Sequence, residues 1–165
     1  MTESFDPRQH CLAERRYFED LAVGERFSIP SRTMTEVHFA AFQTLSGDNH
    51  PIHYDVEYSR ERGHPGLLAH GFQILCFTAA GASNFALGIS DALIAFTEQS
   101  SKFLRPVYPG DTLYPMLEIT ALTPQRSTGV VTLGATVHNQ RGELVLSGEQ
   151  KILLRKRQGE VSGVR

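Results

Sequence analysis

GFQILCFTAAGASNFALG, from Gly71 to Gly88, is the stretch on which the fold turns. Apolar or small residues fall on nearly every face of a helix drawn through it, so the spacing predicts a buried helix rather than a surface one. Gln73, Thr78, Ser83, Asn84 and its glycines make it too polar for a comfortable membrane span. Downstream the period becomes alternating. Leu113, Leu117, Ile119 and Ala121 alternate with Thr112, Tyr114, Glu118 and Thr120, and Val131, Leu133, Ala135 and Val137 repeat the pattern. Leu144, Leu146, Ile152 and Leu154 do so in a last run, joined to the one before by an NQRGE turn at Asn139–Glu143. SSKFLRPVYPGD, residues 100–111, gives a further strand ending in a Pro-Gly-Asp turn. One buried helix followed by antiparallel strands is an α+β pattern in which a sheet wraps the helix. One sheet face then covers the helix, and the other meets solvent or a second subunit.

Upstream, Phe27 and Ile29 alternate weakly as a strand, and TEVHFAAFQTLSGD reads as a helix. Thr33 or Thr35 would cap it, Val37, Ala40, Ala41 and Leu45 would form its apolar face, and Gly47 would stop it. DNHPIHYDVEYSRERGHPGLLAHG, residues 48–71, then carries four of the seven histidines and is broken by Pro51, Gly63, Pro65 and Gly66. It reads as a long loop with a short helical piece around Asp55 to Arg62. Long polar loops inside a compact domain are uncommon and often functional.

The chain has 165 residues, 41% of them hydrophobic and 21% charged, with a formal charge of -2. A domain of about 150 residues buries roughly 70% of its unfolded surface, enough for one core without staples. A single domain is expected over residues 17–157, with a polar N-terminal arm at 1–16 and a C-terminal tail at 158–165. There is no basic field to attract nucleic acid and no apolar leader at the N-terminus, so neither nucleic acid nor a membrane is an expected partner. Cys11 and Cys76 lie far apart in different surroundings, which fits a reduced, cytoplasmic protein, with Cys76 a small core residue.

Asp48, His50 and His53 fall within six residues, and His70 stands just before the apolar stretch. Pro51 biases His50 toward extended backbone, so Asp48 and His53 can converge from a rigid turn. A carboxylate beside an imidazole is a general acid–base pair. Gly71, at a helix start, would have a free N–H and no side chain to bar approach, which suits an oxyanion on a carbonyl. Taken singly, Asp48 could be a turn hydrogen-bonder, Gly71 a packing residue and His70 a loop or helix anchor. The four loop histidines also raise a metal site. The H-x-x-H spacing here lacks the helix that puts both rings on one face, and no CxxC or HExxH accompanies it, so no metal is expected.

LSGDNHPIH (Leu45–His53), followed by AHG (Ala69–Gly71) opening an apolar helix, resembles the hydratase signature of the MaoC-like dehydratases. These include the (R)-specific enoyl-CoA hydratases, whose pattern runs S/T-G-D-x-N-P-x-H. KFLRPVYPGDTL is similar to their later F-x-x-P-V-x-x-G-D segment, and the likeness spans roughly Phe18 to Arg155. The resemblance implies a hot-dog fold, a long central helix wrapped by a curved antiparallel sheet, in a homodimer or higher homo-oligomer. It implies reversible hydration of a 2-enoyl-CoA to a 3-hydroxyacyl-CoA, a step of fatty acid metabolism, with no cofactor. Asp48 and His53 match the catalytic pair, Gly71 the oxyanion-hole glycine and His70 the adjoining motif histidine. His50 stands where the pattern has asparagine, so another side chain must fix the loop. Thr78 and Ala79 lie nearest a helix position that often carries a hydroxyl, and neither is assigned a catalytic role. Arg62, Lys102 and Arg105 are candidates for the CoA phosphates. Two other readings stay open: an acyl-CoA thioesterase on the same fold, and a non-catalytic acyl-CoA-binding partner subunit.

Overall fold

The alternating runs become a single antiparallel sheet in the computed structural model, which describes residues 13–157. Its strands are β1 (Arg26–Ser28), β2 (Arg32–Thr33), β3 (Leu93–Phe103), β4 (Thr112–Pro124), β5 (Thr128–Asn139) and β6 (Leu144–Arg155). The order is β1-β4-β5-β6-β3, with β2 also paired to β4. Leu113, Leu117, Ile119, Val131, Leu133, Ala135 and Val137 all point inward and are essentially inaccessible. A register shift between Ile119 and Ala121 ends the clean alternation of β4. Another, between Val137 and His138, resets β6, where Val145 and Leu146 are both buried and Leu144 is only half-buried. Such bulges turn one side chain to the other face and tighten the curvature of a sheet.

The helices are α1 (Glu36–Ser46), α2 (Val56–Glu61), α3 (Gly71–Leu75) and α4 (Asn84–Gly88), of which α1, α3 and α4 pack apolar side chains against the inward face of the sheet. The Gly71–Gly88 stretch is therefore helical in segments rather than as one unbroken α-helix. Two short 3₁₀ turns, Cys76–Thr78 and Ala80–Ala82, separate α3 from α4, and Ala79 between them leaves the helical region at ψ 119°. It is not buried all round either. Ile74 and Phe85 face the core, while Phe72 and Leu87 are exposed and so is Cys76, which is not the core residue expected. Thr78 is 1% exposed, and its hydroxyl donates to Leu75 O (2.8 Å) and accepts from Gln150 Nε2 (2.9 Å). That hydroxyl is fully engaged inside the core.

Helix α1 begins at Thr35 and ends on Gly47, at φ 68°. The start is fixed by the Thr35 N–H donating to His38 Nδ1 (3.0 Å), a histidine in the place a capping glutamate usually fills. Its buried face is not the one the spacing suggested. Val37 and Leu45 are 76% and 81% exposed, whereas Phe39 is 2% exposed. Both stripes have helical spacing, and the aromatic one removes more apolar surface from water. Phe39 joins Met34, Ala69, Ile74, Val107, Val137 and Leu146 in one core cluster. Phe18, Phe85, Ile89, Leu117, Leu133 and Leu154 belong to a second.

The expected arm and tail lie outside the described residues, except for residues 13–16. Of these, Arg15 pairs with Asp91 (2.9 Å), and Arg16 bonds Gly88 O through its backbone and Glu25 through its guanidinium, each at 2.8 Å. The Pro-Gly-Asp turn is pinned by Asp111, only 6% exposed. Its carboxylate accepts from Tyr108 N (3.0 Å), Gln140 Nε2 (2.7 Å) and Arg141 Nη1 (3.2 Å), which ties residues 105–111 to the β5–β6 hairpin.

Candidate active site

The loop after α1 is organised around Asp48. Oδ1 accepts the His50 backbone N–H (2.9 Å), an Asx turn that holds the chain for Pro51–His53, a single 3₁₀ turn. Oδ2 lies 2.8 Å from His70 Nε2. His70 caps α3, with Nδ1 accepting the Phe72 N–H at 3.0 Å. An acceptor nitrogen carries no proton, so the His70 proton sits on Nε2 and is donated to Asp48. The contact is a hydrogen bond from a neutral imidazole.

His53 has the opposite tautomer. Its Nδ1 lies 2.6 Å from the Leu68 carbonyl, which can only accept, so Nδ1 carries the proton and Nε2 keeps a lone pair. The His53 and His70 rings are 5.0 Å apart, and Asp48, His53 and His70 each bring a polar atom within 4.8 Å of the other two. His53 thus keeps one unprotonated nitrogen, in a cluster with a carboxylate whose orientation is fixed by two donors.

These donors also set the charge. The Asp48 carboxyl is held below its ordinary value, first by the His50 N–H and then by the hydrogen bond from His70, against a partial loss of water. A group whose pKa is lowered on folding adds stability that is complete above its unfolded pKa and is lost as pH falls through the folded one. The stability difference between the wild type and Asp48→Asn should accordingly be constant near neutrality and shrink below about pH 4, the ordinary aspartate range. Urea unfolding midpoints from pH 6 to pH 3 measure it; a difference that grew on acidification would contradict this ordering of causes. The same three residues lie close enough together to suggest a cation site. As they are hydrogen-bonded, His70 Nε2 is a donor, and the trio offers two ligand atoms rather than the three or four a zinc site uses.

Gly71 is the first residue of α3, where a backbone N–H has no acceptor within the helix. A Cβ built on it would lie 3.0 Å from the Phe103 ring, so the glycine serves packing as well as access. Because α3 runs for only five residues, the dipole behind this N–H is shorter than a long central helix would provide.

His50 is exposed and lies beside the trio rather than in it. Its Nδ1 accepts from Ile52 N (3.3 Å), and its ring meets Tyr58 edge-on at 5.8 Å. The loop is fixed by its neighbour Asn49, whose Oδ1 accepts from Gln43 Nε2 (2.7 Å) and whose Nδ2 donates to Gly47 O (3.2 Å). Arg62 is engaged on its own helix, its guanidinium 3.2 Å over the Tyr58 ring and donating to Tyr58 O (3.0 Å). Lys102 lies on β3 and Arg105 just beyond it. Among the described residues none of these three cations bonds to the trio. Sequence reasoning missed Leu68, whose carbonyl sets the His53 tautomer, Phe42, whose ring is 5.1 Å from His70, and Phe103 under Gly71. A backbone acceptor and two packing rings leave no residue-type signal.

Residues 20–140 match the family model described as MaoC like domain. The chain belongs to the MaoC-like dehydratase family. It is 29% identical over 140 residues to the (R)-specific enoyl-CoA hydratase of Rhodospirillum rubrum, covering 84% of this chain and 91% of that protein. Among solved structures, one described as a monoamine oxidase regulatory protein from Archaeoglobus fulgius superposes with TM-score 0.83 at 32% identity, over 90% of this chain and all of that one. A conserved hypothetical protein of Mycobacterium tuberculosis with a double hot-dog fold gives TM-score 0.73 at 29% identity, over 92% of this chain and 48% of that one. The α+β hot-dog architecture is thereby established for this MaoC-like chain. No helix among its described residues is long and apolar enough to cross a membrane.

Proposed function

We propose that this MaoC-like protein hydrates a trans-2-enoyl-CoA thioester to the 3-hydroxyacyl-CoA, and dehydrates it in reverse. The reading is carried by one observation: Asp48, His53 and His70 each bring a polar atom within 4.8 Å of the other two, with the His53 Nδ1–H on the Leu68 carbonyl and the Asp48 carboxylate oriented by the His50 N–H. A water held between Asp48 and His53 gives its proton to this pair as its oxygen adds to C3. The electrons of the C2–C3 double bond move onto the thioester, and the enolate oxygen is received by the Gly71 N–H. The proton is then returned to C2, so water is the only reagent consumed. Positioned acid–base groups contribute about 100- to 10,000-fold and one oxyanion donor roughly 100- to 1000-fold. His70 holds Asp48 by the hydrogen bond described above. Loss of the enoyl absorbance of crotonyl-CoA, with free CoA followed in parallel, tests the reading. Hydration without thiol release supports it, and thiol release alone would make the protein a thioesterase.

A second copy of the chain is part of this proposal. β3 is a sheet edge, and Leu93, Ile94, Phe96 and Phe103 on it are exposed, as are Phe72 and Leu104 nearby. An apolar hollow of about 690 Å³ lies between this strand and the α3–α4 segments. Long apolar edges are aggregation-prone unless covered. Light scattering is expected to give a dimer or larger, and Phe96→Glu is expected to shift it to monomer. A wild-type monomer would remove the second copy from the proposal.

A further inference from the structure

A separate pocket of about 250 Å³ opens between α1 and α3, beside the Asp48–His53–His70 cluster. Phe42 and Leu45 on one wall and Gln73 on the other connect it to the site. The Phe42 ring is 5.1 Å from His70, Leu45 precedes Asp48 by three positions, and Gln73 follows Gly71 by two. Most of the lining is apolar, including Ile29 and Phe77.

Its lining offers three side-chain donors: Arg32, which is solvent-exposed, His38, which is half-buried, and Gln73, which is buried and also carries an amide oxygen. Arg32 lines it with its guanidinium 5.6 Å from the Phe77 ring centroid, and no carboxylate among the described residues bonds to it. His38 lines it with Nδ1 already accepting the Thr35 N–H, which puts its proton on Nε2. Gln73 is 4% exposed, yet its Nε2 has no hydrogen-bond partner. No aspartate or glutamate lines the pocket. Buried donors without acceptors are rare in native proteins, and each asks for an explanation. Three donors, one of them cationic, around an apolar hollow match a ligand that is apolar along its length and ends in an anionic acceptor. A carboxylate has two oxygens to share among them.

We propose that this pocket receives the acyl chain of the substrate and selects 2-enoyl-CoA thioesters that carry a second carboxylate at the far end of the chain. Arg32 neutralises that carboxylate, and Gln73 and His38 donate to it. The inference rests on the enoyl-CoA reading above and names the substrate class within it.

The test uses pairs of trans-2-enoyl-CoA esters of equal length, from four to eight carbons, one of each pair ending in methyl and the other in carboxylate. The wild type is expected to prefer the carboxylated ester at least tenfold in kcat/KM at its best length. Arg32→Gln is expected to bring that ratio close to one, through KM. Calorimetric binding of the saturated pair adipyl-CoA and hexanoyl-CoA to both proteins reads the same preference without turnover. Equal or reversed preference in the wild type, or a preference that survives Arg32→Gln, overturns the proposal. If no ester is hydrated but adipyl-CoA still binds more tightly in an Arg32-dependent way, the hydratase reading fails and the pocket assignment stands.

Discussion

Asp48→Asn and His53→Ala should each lower crotonyl-CoA hydration by about 100- to 10,000-fold, the range for a positioned acid–base group. Asparagine keeps the shape of Asp48 but has one acceptor oxygen where the site uses two. If that oxygen takes the His50 N–H, the amide N–H₂ faces the His70 Nε2–H, donor against donor. If it takes His70, the Asx turn behind Pro51 is lost. His53→Ala removes the lone pair outright and leaves the Leu68 carbonyl without its donor. Neither side chain belongs to a core cluster, so both variants should fold, with only a modest loss of stability at neutral pH. Steady-state rates of the folded variants decide the matter. Turnover within a few-fold of wild type in either would remove that residue from the mechanism.

Phe85→Ala should cost about 3–5 kcal/mol of folding stability, the usual range for deleting a fully packed aromatic side chain. Phe85 is 2% exposed and meets the Phe27 ring at 5.0 Å, within the cluster built on Leu117, Ile119, Val131 and Leu133. The size of the effect follows from what it holds. α4 is five residues long, far below the length at which a helix persists unaided. Packing of this ring, rather than hydrogen bonding within α4, keeps the segment on the sheet. In a chain of this size the loss corresponds to a fall in melting temperature of roughly 10 °C. A shift of only a degree or two would mean that the segment is anchored elsewhere.

These two sites differ in how legible they were. Asp48, His53, Gly71 and His70 could be picked out because Asp, His and Gly around a proline are a conspicuous combination at fixed spacing. Strand positions in β4 and β5 were equally plain, since a half-buried strand must alternate. Helix α1 was found with its cap and its stop, but its inward face was misjudged. Val37 and Leu45 have the same angular spacing as a core stripe, and only the packing of Phe39 against Met34 and Val137 chose between them. Gln150 and Thr78 carry polar side chains, yet both are buried, joined by a hydrogen bond from Gln150 Nε2 to Thr78 Oγ1 across 72 residues of chain.

By itself, then, the sequence determined the local periods, the turn at Asp48–His53 and the residue types available for chemistry, because these depend on neighbours in the chain. The tertiary structure alone decided which nitrogen of each histidine holds the proton, since the partners are Leu68 O and Phe72 N. It also decided that the Gly71–Gly88 run breaks into short helices, and that Arg32, His38 and Gln73 line one pocket. The physical reason is the same throughout. Local propensity acts over a few residues, whereas tautomers, donor pairing and burial are set by groups that meet only when the chain closes on itself.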